Sequence, residues 1–182
     1  EQFHGVEEDV QWVGDFIRLW TSRNGRWSSP KFLAGESYGT TRAAGLSGYL
    51  QERHGMYLNG IVLISTILNF ETADFNVGND LPYVTFLPTY TTTAWYHKKL
   101  PPDLQGNFQK AVEESKQFAA GDYTLALMKG SRLAAAERQA IAQKLSRLTG
   151  LSARFIEAND LRVTLPRFTK ELLRDQRRTV GR

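Results

Sequence analysis

The stretch that decides the fold reads Lys31-Phe32-Leu33-Ala34-Gly35-Glu36-Ser37-Tyr38-Gly39-Thr40-Thr41-Arg42. It places a Gly-x-Ser-x-Gly pentapeptide directly after a short apolar run and directly before a helix-like segment. This order is the sequence form of a nucleophile elbow, a sharp strand-to-helix turn that holds a serine hydroxyl above a sheet. We therefore predict a strand over residues 32–34, a turn at Ser37 and a helix from Thr40 to about Arg53.

The two glycines of the pentapeptide, Gly35 and Gly39, have a predicted mechanical role. In a strained turn, side chains at these positions would collide with the neighbouring strand and helix. The pentapeptide alone is a weak signal, because a chain with 15 glycines produces chance matches. The apolar run before it and the helical pattern after it strengthen the prediction. An ordinary glycine-rich turn stays the alternative.

The chain around this turn has the pattern of alternating helices and strands. Apolar residues at helical spacing predict an amphipathic helix over residues 6–23, with acidic residues near its start, where the helix dipole favours them. Residues 61–65 are apolar without alternation, which is typical of a parallel strand buried on both faces. Two buried strands separated by a helix predict a right-handed βαβ unit of a parallel sheet.

The second half of the chain has a different composition. Residues 69–80 form a predicted polar loop beyond the second strand, where ligand sites of open α/β sheets gather. Residues 81–100 are rich in aromatics, which either pack in a core or line a substrate cleft, and Pro82 and Pro88 predict a broken helix. From Asp103 onward helix formers dominate without a strand signal. We therefore predict a division at residue 100, followed by helical segments near 104–119, 122–129, 133–148, 152–158 and 165–178.

Composition excludes several classes of protein. The 182 residues are 41% hydrophobic but contain no uninterrupted apolar run long enough to span a membrane. The absence of cysteine excludes disulfides and thiolate metal sites, and no metal-binding or phosphate-binding motif is present, so we predict no cofactor. The net charge of +4 is concentrated near the end. A solvated basic helix end explains it better than nucleic-acid binding, and its residues are Arg174, Arg177, Arg178 and Arg182.

The sequence resembles the serine carboxypeptidase family of α/β-hydrolases, in particular its bacterial members. The likeness covers roughly residues 1–100, and the helical block fits as the family's variable insertion. It implies a partial α/β-hydrolase core over residues 1–100 and an all-helical cap or lid over residues 101–182. The residues that carry it are the stretch 32–39 with a glutamate directly before the serine, the first helix with Asp9, Val10, Phe16 and Trp20, and the segments 86–90 and 94–99.

This resemblance implies an enzyme that releases C-terminal amino acids from peptides through an acyl-enzyme. Ser37 would be the nucleophile, the backbone N–H of Tyr38 one oxyanion donor, and Glu36 a contact for the C-terminal carboxylate of the peptide substrate. Because two ionised carboxylates repel each other at close range, one of them must be protonated, and binding should favour acidic pH. The resemblance also implies a secreted or periplasmic protein.

The base and the acid that a hydrolase serine needs are expected to be missing. His54 is predicted at the far end of the elbow helix, and His4 has no motif around it. A formal order Ser37–Asp80–His97 exists, but in this fold the acid and base follow later strands, and no such strands are evident. His97 is better explained as an exposed residue beside two lysines. A glycine-rich oxyanion loop before the elbow is also missing, so we expect an internal fragment that is inactive on its own.

Other functions stay open beside this one. A different α/β-hydrolase activity, such as an esterase or an acyltransferase, would use the same elbow. A non-catalytic interaction domain would bind a partner through the helical block and leave Ser37 vestigial. The helical segments could also mediate a homodimer.

Overall fold

The computed structural model describes residues 5–181 and divides the chain into two compact units, one ending at Phe70 and the other starting at Glu71. His4 and Arg182 lie outside the described residues. The described chain is mostly helical, with a two-stranded parallel sheet. The strands are β1 (Phe32–Glu36) and β2 (Gly60–Ile64), and the α-helices are α1 (Val6–Arg23), α2 (Tyr38–His54), α3 (Leu81–Tyr96), α4 (Pro102–Gln105), α5 (Phe108–Phe118), α6 (Thr124–Lys129), α7 (Ala135–Thr149), α8 (Ala153–Ala158) and α9 (Leu165–Glu171).

The order of elements in the first unit is α1, β1, α2, β2, as predicted. The strands pair in parallel, with Leu33 opposite Ile61 and Glu36 opposite Ile64. Both helices end close to the predicted residues, and each is followed by a glycine in the left-handed region. Gly25 follows α1 with a φ of 62°, and Gly55 caps α2 in the left-handed region with a φ of 59°.

The core of this unit lies between α1, α2 and one face of the sheet. Val10, Leu46, Leu50 and Met56 are buried there, and Leu33 packs against them. The small residues of α2 include Gly45, where a Cβ atom would lie 2.9 Å from the side chain of Val10. The glycine at position 45 therefore lets α2 approach α1 closely.

The prediction that both strands are buried on both faces is wrong. Leu33 is half-buried and Gly35 is buried, but Phe32 is 67% exposed, Val62 53% and Ile64 51%. Because side chains alternate between the faces of a strand, Leu33 faces α2 while its neighbours face away from it. The four apolar residues of β2 from Ile61 to Ile64 are each at least 38% exposed, so the apolar run of β2 is a solvent-exposed surface of the first unit.

Helix α3 is the centre of the second unit. It packs against α5 and α7, and Tyr83, Leu87 and Tyr90 are buried in the core. The prediction of a broken helix is wrong, because α3 continues through Pro88. Pro88 removes one backbone hydrogen bond, but burial along the helix outweighs that loss. The boundary between the two compact units lies before α3. The division at residue 100 into a hydrolase core and a lid stays a prediction.

The turn after α8 is strained and held from two sides. Asp160 and Leu161 have φ values of 53° and 63°, which are costly for residues other than glycine. The buried Tyr123 hydroxyl donates a 2.7 Å hydrogen bond to the carbonyl of Leu161. Arg162 donates to both carboxylate oxygens of Asp80, at 2.6 and 2.8 Å, and so fastens the turn to the start of α3.

Among residues 5–181, the helices are either too short or too polar to cross a lipid bilayer. This agrees with the prediction that the sequence contains no membrane-spanning segment.

We expect Tyr123→Phe to lower the free energy of unfolding by about 1–3 kcal/mol, because the buried carbonyl of Leu161 loses its donor. Urea unfolding monitored by circular dichroism measures the change. Tyr96→Phe is the matched control, since Tyr96 is 74% exposed and should change stability by less than about 0.5 kcal/mol. Equal effects of the two substitutions would contradict this account of the turn.

Candidate active site

Ser37 lies at a sharp turn between β1 and α2. It is exposed, it is the N-cap residue of α2, and its φ of 53° and ψ of −122° are strained for a residue other than glycine. Its backbone N–H donates a 3.0 Å hydrogen bond to the carbonyl of Ile64, the last residue of β2. The predicted strand–turn–helix arrangement is therefore present, and it presents the hydroxyl to solvent at the carboxyl edge of the sheet. The nucleophilic role of Ser37 stays a prediction.

The two elbow glycines differ in their surroundings. A Cβ atom at Gly35 would lie 2.0 Å from the carbonyl oxygen of Gly39, so the strand and the first turn of α2 touch without room for a side chain. A Cβ atom at Gly39 would meet no atom within 4 Å. The steric requirement predicted for both glycines is thus found at Gly35 and is wrong for Gly39.

Two threonines fasten the first turn of α2 to the segment after β2. The fully buried Thr40 hydroxyl donates to the carbonyl of Ser37 at 2.7 Å and accepts from the N–H of Ile67 at 3.0 Å. Thr41 donates to the carbonyl of Ile67 at 2.6 Å. The sequence analysis missed these contacts, because threonines in a helical segment do not reveal which distant carbonyl they reach.

Asp9 of α1 fastens the same turn from the other side. Its carboxylate accepts two hydrogen bonds from the Arg42 guanidinium, at 2.7 and 2.8 Å, and one from the Tyr38 hydroxyl at 3.1 Å. The Arg42 hydrogen bonds hold the pKa of Asp9 below its usual value, against the opposing effect of partial burial. Desolvation and the bond to Asp9 raise the pKa of Tyr38. The sequence analysis placed Asp9 near the start of the first helix and among the residues that carry the resemblance, but it did not predict these contacts.

The residues beside Ser37 bring the N-terminus of α2 and a carboxyl group next to its hydroxyl. Tyr38 is the first residue of α2, so its N–H has no acceptor within the helix, and the 17-residue helix places its positive end there. Glu36 ends β1, and its exposed side chain lies on the sheet face opposite Leu33, the same face as Phe32. A tetrahedral oxyanion could therefore be stabilised at the N-terminus of α2, with a carboxyl group one residue away in the chain.

His54 and His97 each lie at the C-terminal end of a helix, and neither forms part of a catalytic triad. His54 is the last residue of the 17-residue α2, about 25 Å along the helix from Ser37, and its Nε2 lies 2.9 Å from Asp15 Oδ1. Asp80 and His97 flank the 16-residue α3 at opposite ends, about 24 Å apart, and Asp80 binds Arg162. The formal Ser37–Asp80–His97 triad is therefore not formed.

Neither metal-binding groups nor known relatives point to another chemistry. Within residues 5–181, no cluster of three or more His, Cys, Asp or Glu side chains could hold a metal ion. Comparisons of the chain with protein-family models, with curated proteins and with solved structures find no match. The elbow residues and their geometry are therefore the features of this chain that bear on its function.

We expect opposite effects from alanine at the two elbow glycines. Gly35→Ala should lower the free energy of unfolding by about 1–3 kcal/mol or more, because the added methyl group overlaps backbone that cannot move away. Gly39→Ala should raise it by about 0.5–1 kcal/mol, because alanine favours the helix and meets open space. Thermal and urea unfolding of both variants measure the change in the free energy of unfolding. A Gly35→Ala variant as stable as the unsubstituted protein would contradict the close contact.

Proposed function

We propose that this chain carries the nucleophile of a serine carboxypeptidase. The observation that carries the proposal is Ser37, which is exposed at a positive φ between a parallel strand and the N-terminus of a helix. This is the backbone arrangement that a nucleophile elbow requires. The glutamate directly before the serine favours a peptidase that recognises a C-terminal carboxylate, as the resemblance of the motif suggests.

The proposed reaction is acyl transfer in two steps. The Ser37 hydroxyl attacks the carbonyl carbon of the last peptide bond while a base takes its proton, and the oxyanion is held by the N–H of Tyr38 and the positive end of α2. Collapse breaks the C–N bond, and the base returns the proton to the departing amino acid. Water then attacks the acyl-enzyme by the same route and releases the shortened peptide.

The base and the orienting acid belong, in this proposal, to parts of the active protein other than the described first unit. His54, the histidine of that unit in the described chain, lies at the wrong end of α2. The exposed apolar strands support the same conclusion. Val62 and Ile64 are more than half exposed, whereas strands of a hydrolase sheet are covered on both faces. Further elements that bury this surface are the natural place for the missing side chains.

The exposed sheet also favours a second candidate function. A protein that binds a partner through this apolar surface, without catalysis, would have the same exposed Phe32 and Val62. An esterase or an acyltransferase would share the elbow but not the preference for a free C-terminus. Labelling of Ser37 separates the binding protein from the enzymes, and the nature of the released product separates the enzymes from one another.

We expect the full-length protein containing this chain to release C-terminal amino acids from peptides and to be labelled at Ser37 by a fluorophosphonate. Ser37→Ala should abolish both, with a loss of activity of about 10³-fold or more. The 182-residue chain alone should show no release. Mass spectrometry of the peptide products and of the labelled protein measures these outcomes.

Ser65→Ala is the matched control for this experiment. Ser65 is also exposed, follows the neighbouring strand and has a positive φ of 51°, but it does not begin a helix. The variant should retain activity and labelling. Turnover that survives Ser37→Ala, or labelling that depends equally on Ser65, would refute the assignment of the nucleophile.

We expect Glu36→Gln in the full-length protein to flatten the pH dependence of the peptide KM. In the unsubstituted protein KM should rise as pH rises from acidic values, because Glu36 and the substrate carboxylate cannot both be ionised in one site. An amide at position 36 removes that repulsion and should leave KM nearly constant. Glu52→Gln, at an exposed glutamate of α2, is the control and should keep the original profile.

A further inference from the structure

Two aspartates of α1 make similar contacts with the two ends of α2. Asp9 accepts hydrogen bonds from Tyr38 and Arg42 in the first half of α2. Asp15 accepts one from Tyr49 at 3.2 Å and lies 2.9 Å from His54 near the end of α2. Both carboxylates therefore join the same pair of helices, but one of them does so at the residue that follows Ser37.

We propose that Asp9 is a positioning residue that fixes the direction of the Tyr38 backbone N–H, the proposed oxyanion donor. This inference rests on the proposed function, since it assigns a role within that site. Asp9 touches neither the reacting atoms nor the substrate in this role, and it acts through Tyr38 and Arg42.

The geometry of the three side chains explains how Asp9 would act. Tyr38 and Arg42 are one helical turn apart on α2, so a carboxylate bonded to both spans the first turn of the helix. The Arg42 guanidinium also lies 5.3 Å from the centre of the Tyr38 ring. The first turn consequently cannot rotate about the helix axis without breaking three hydrogen bonds to Asp9.

The strain at Ser37 makes such an attachment necessary. A residue other than glycine keeps a φ of 53° only when several surrounding contacts hold its backbone in place. The Thr40 and Thr41 hydroxyls hold the first turn on the side of β2, and Asp9 holds it on the side of α1. An oxyanion donor must be placed to within about half an ångström to act, so loss of one attachment should reduce the rate more than it reduces substrate binding.

The first test is NMR of the chain itself, comparing Asp9→Asn with Asp15→Asn. Asp9→Asn should speed hydrogen exchange of the Thr40 amide, which donates to the Ser37 carbonyl at 2.9 Å, by about tenfold or more, because the turn loosens. It should also shift the amide proton of Tyr38. Asp15→Asn should leave both amides unchanged, although it loses contacts between the same two helices. Equal responses of these amides to both substitutions would overturn the proposal.

The second test is kinetic and uses the full-length protein. Asp9→Asn should lower kcat about tenfold and leave the peptide KM unchanged. This loss is smaller than the loss expected from removing an oxyanion donor. Asp15→Asn should leave both constants unchanged. If Asp9→Asn does not fold, Tyr38→Phe removes a single hydrogen bond and keeps the Asp9–Arg42 ion pair, and it should give a smaller loss of kcat in the same direction. An unchanged kcat, or a rise in KM alone, overturns the proposal.

The failures of the two proposals are distinguishable. If Ser37→Ala leaves turnover intact, the proposed function fails, whatever the Tyr38 amide does. If Ser37→Ala abolishes turnover while Asp9→Asn and Asp15→Asn behave alike, the proposed function stands and the positioning role of Asp9 is wrong.

Discussion

The close approach of β1 to the first turn of α2 at Gly35 is the constraint on which the first unit depends. A Cβ atom added at Gly35 would lie only 2.0 Å from the carbonyl oxygen of Gly39, so strand and helix meet without any intervening side chain. The chain must then reverse within one residue, which drives Ser37 into a strained backbone conformation. The buried Thr40 hydroxyl and the Asp9 carboxylate both hold this turn, and their contacts are best understood as a consequence of that strain.

The same turn decides which surface of the sheet is covered. It directs α2 back along one face, where Leu33, Leu46 and Leu50 form the core with α1. The opposite face receives Phe32 and Val62, and both stay exposed. A two-stranded sheet is marginal in water unless a hydrophobic face is packed, so the first unit derives its stability from the helical side. The exposed side is free to contribute to binding or to a larger sheet, as the proposed function requires.

Local features of the sequence predicted the fold well where local physics determines it. The strand–turn–helix order around the elbow pentapeptide, the approximate ends of α1 and α2 and the parallel pairing of β1 with β2 were all predicted. The continuity of α3 through Pro88 was not predicted, because burial against α5 and α7 outweighs the tendency of proline to break a helix. The exposure of β2 was not predicted either, because an apolar run in a sequence does not show whether another element covers it. The Asp9–Arg42 pair was missed because it joins residues far apart in sequence.

The positions of the histidines limit what the described first unit could contribute to the proposed catalysis. A helix is a rigid rod, so His54 cannot approach Ser37 from the opposite end of α2. A serine hydroxyl without a base is a weak nucleophile, whereas the N-terminus of α2 and the N–H of Tyr38 can stabilise an anion without further help. In the proposed function, the described first unit would therefore supply the groups that stabilise charge, and the group that activates the hydroxyl would come from elsewhere. Because such groups act as a unit and their effects are not additive, adding a correctly placed histidine to this framework should change the rate far more than improving any contact already present.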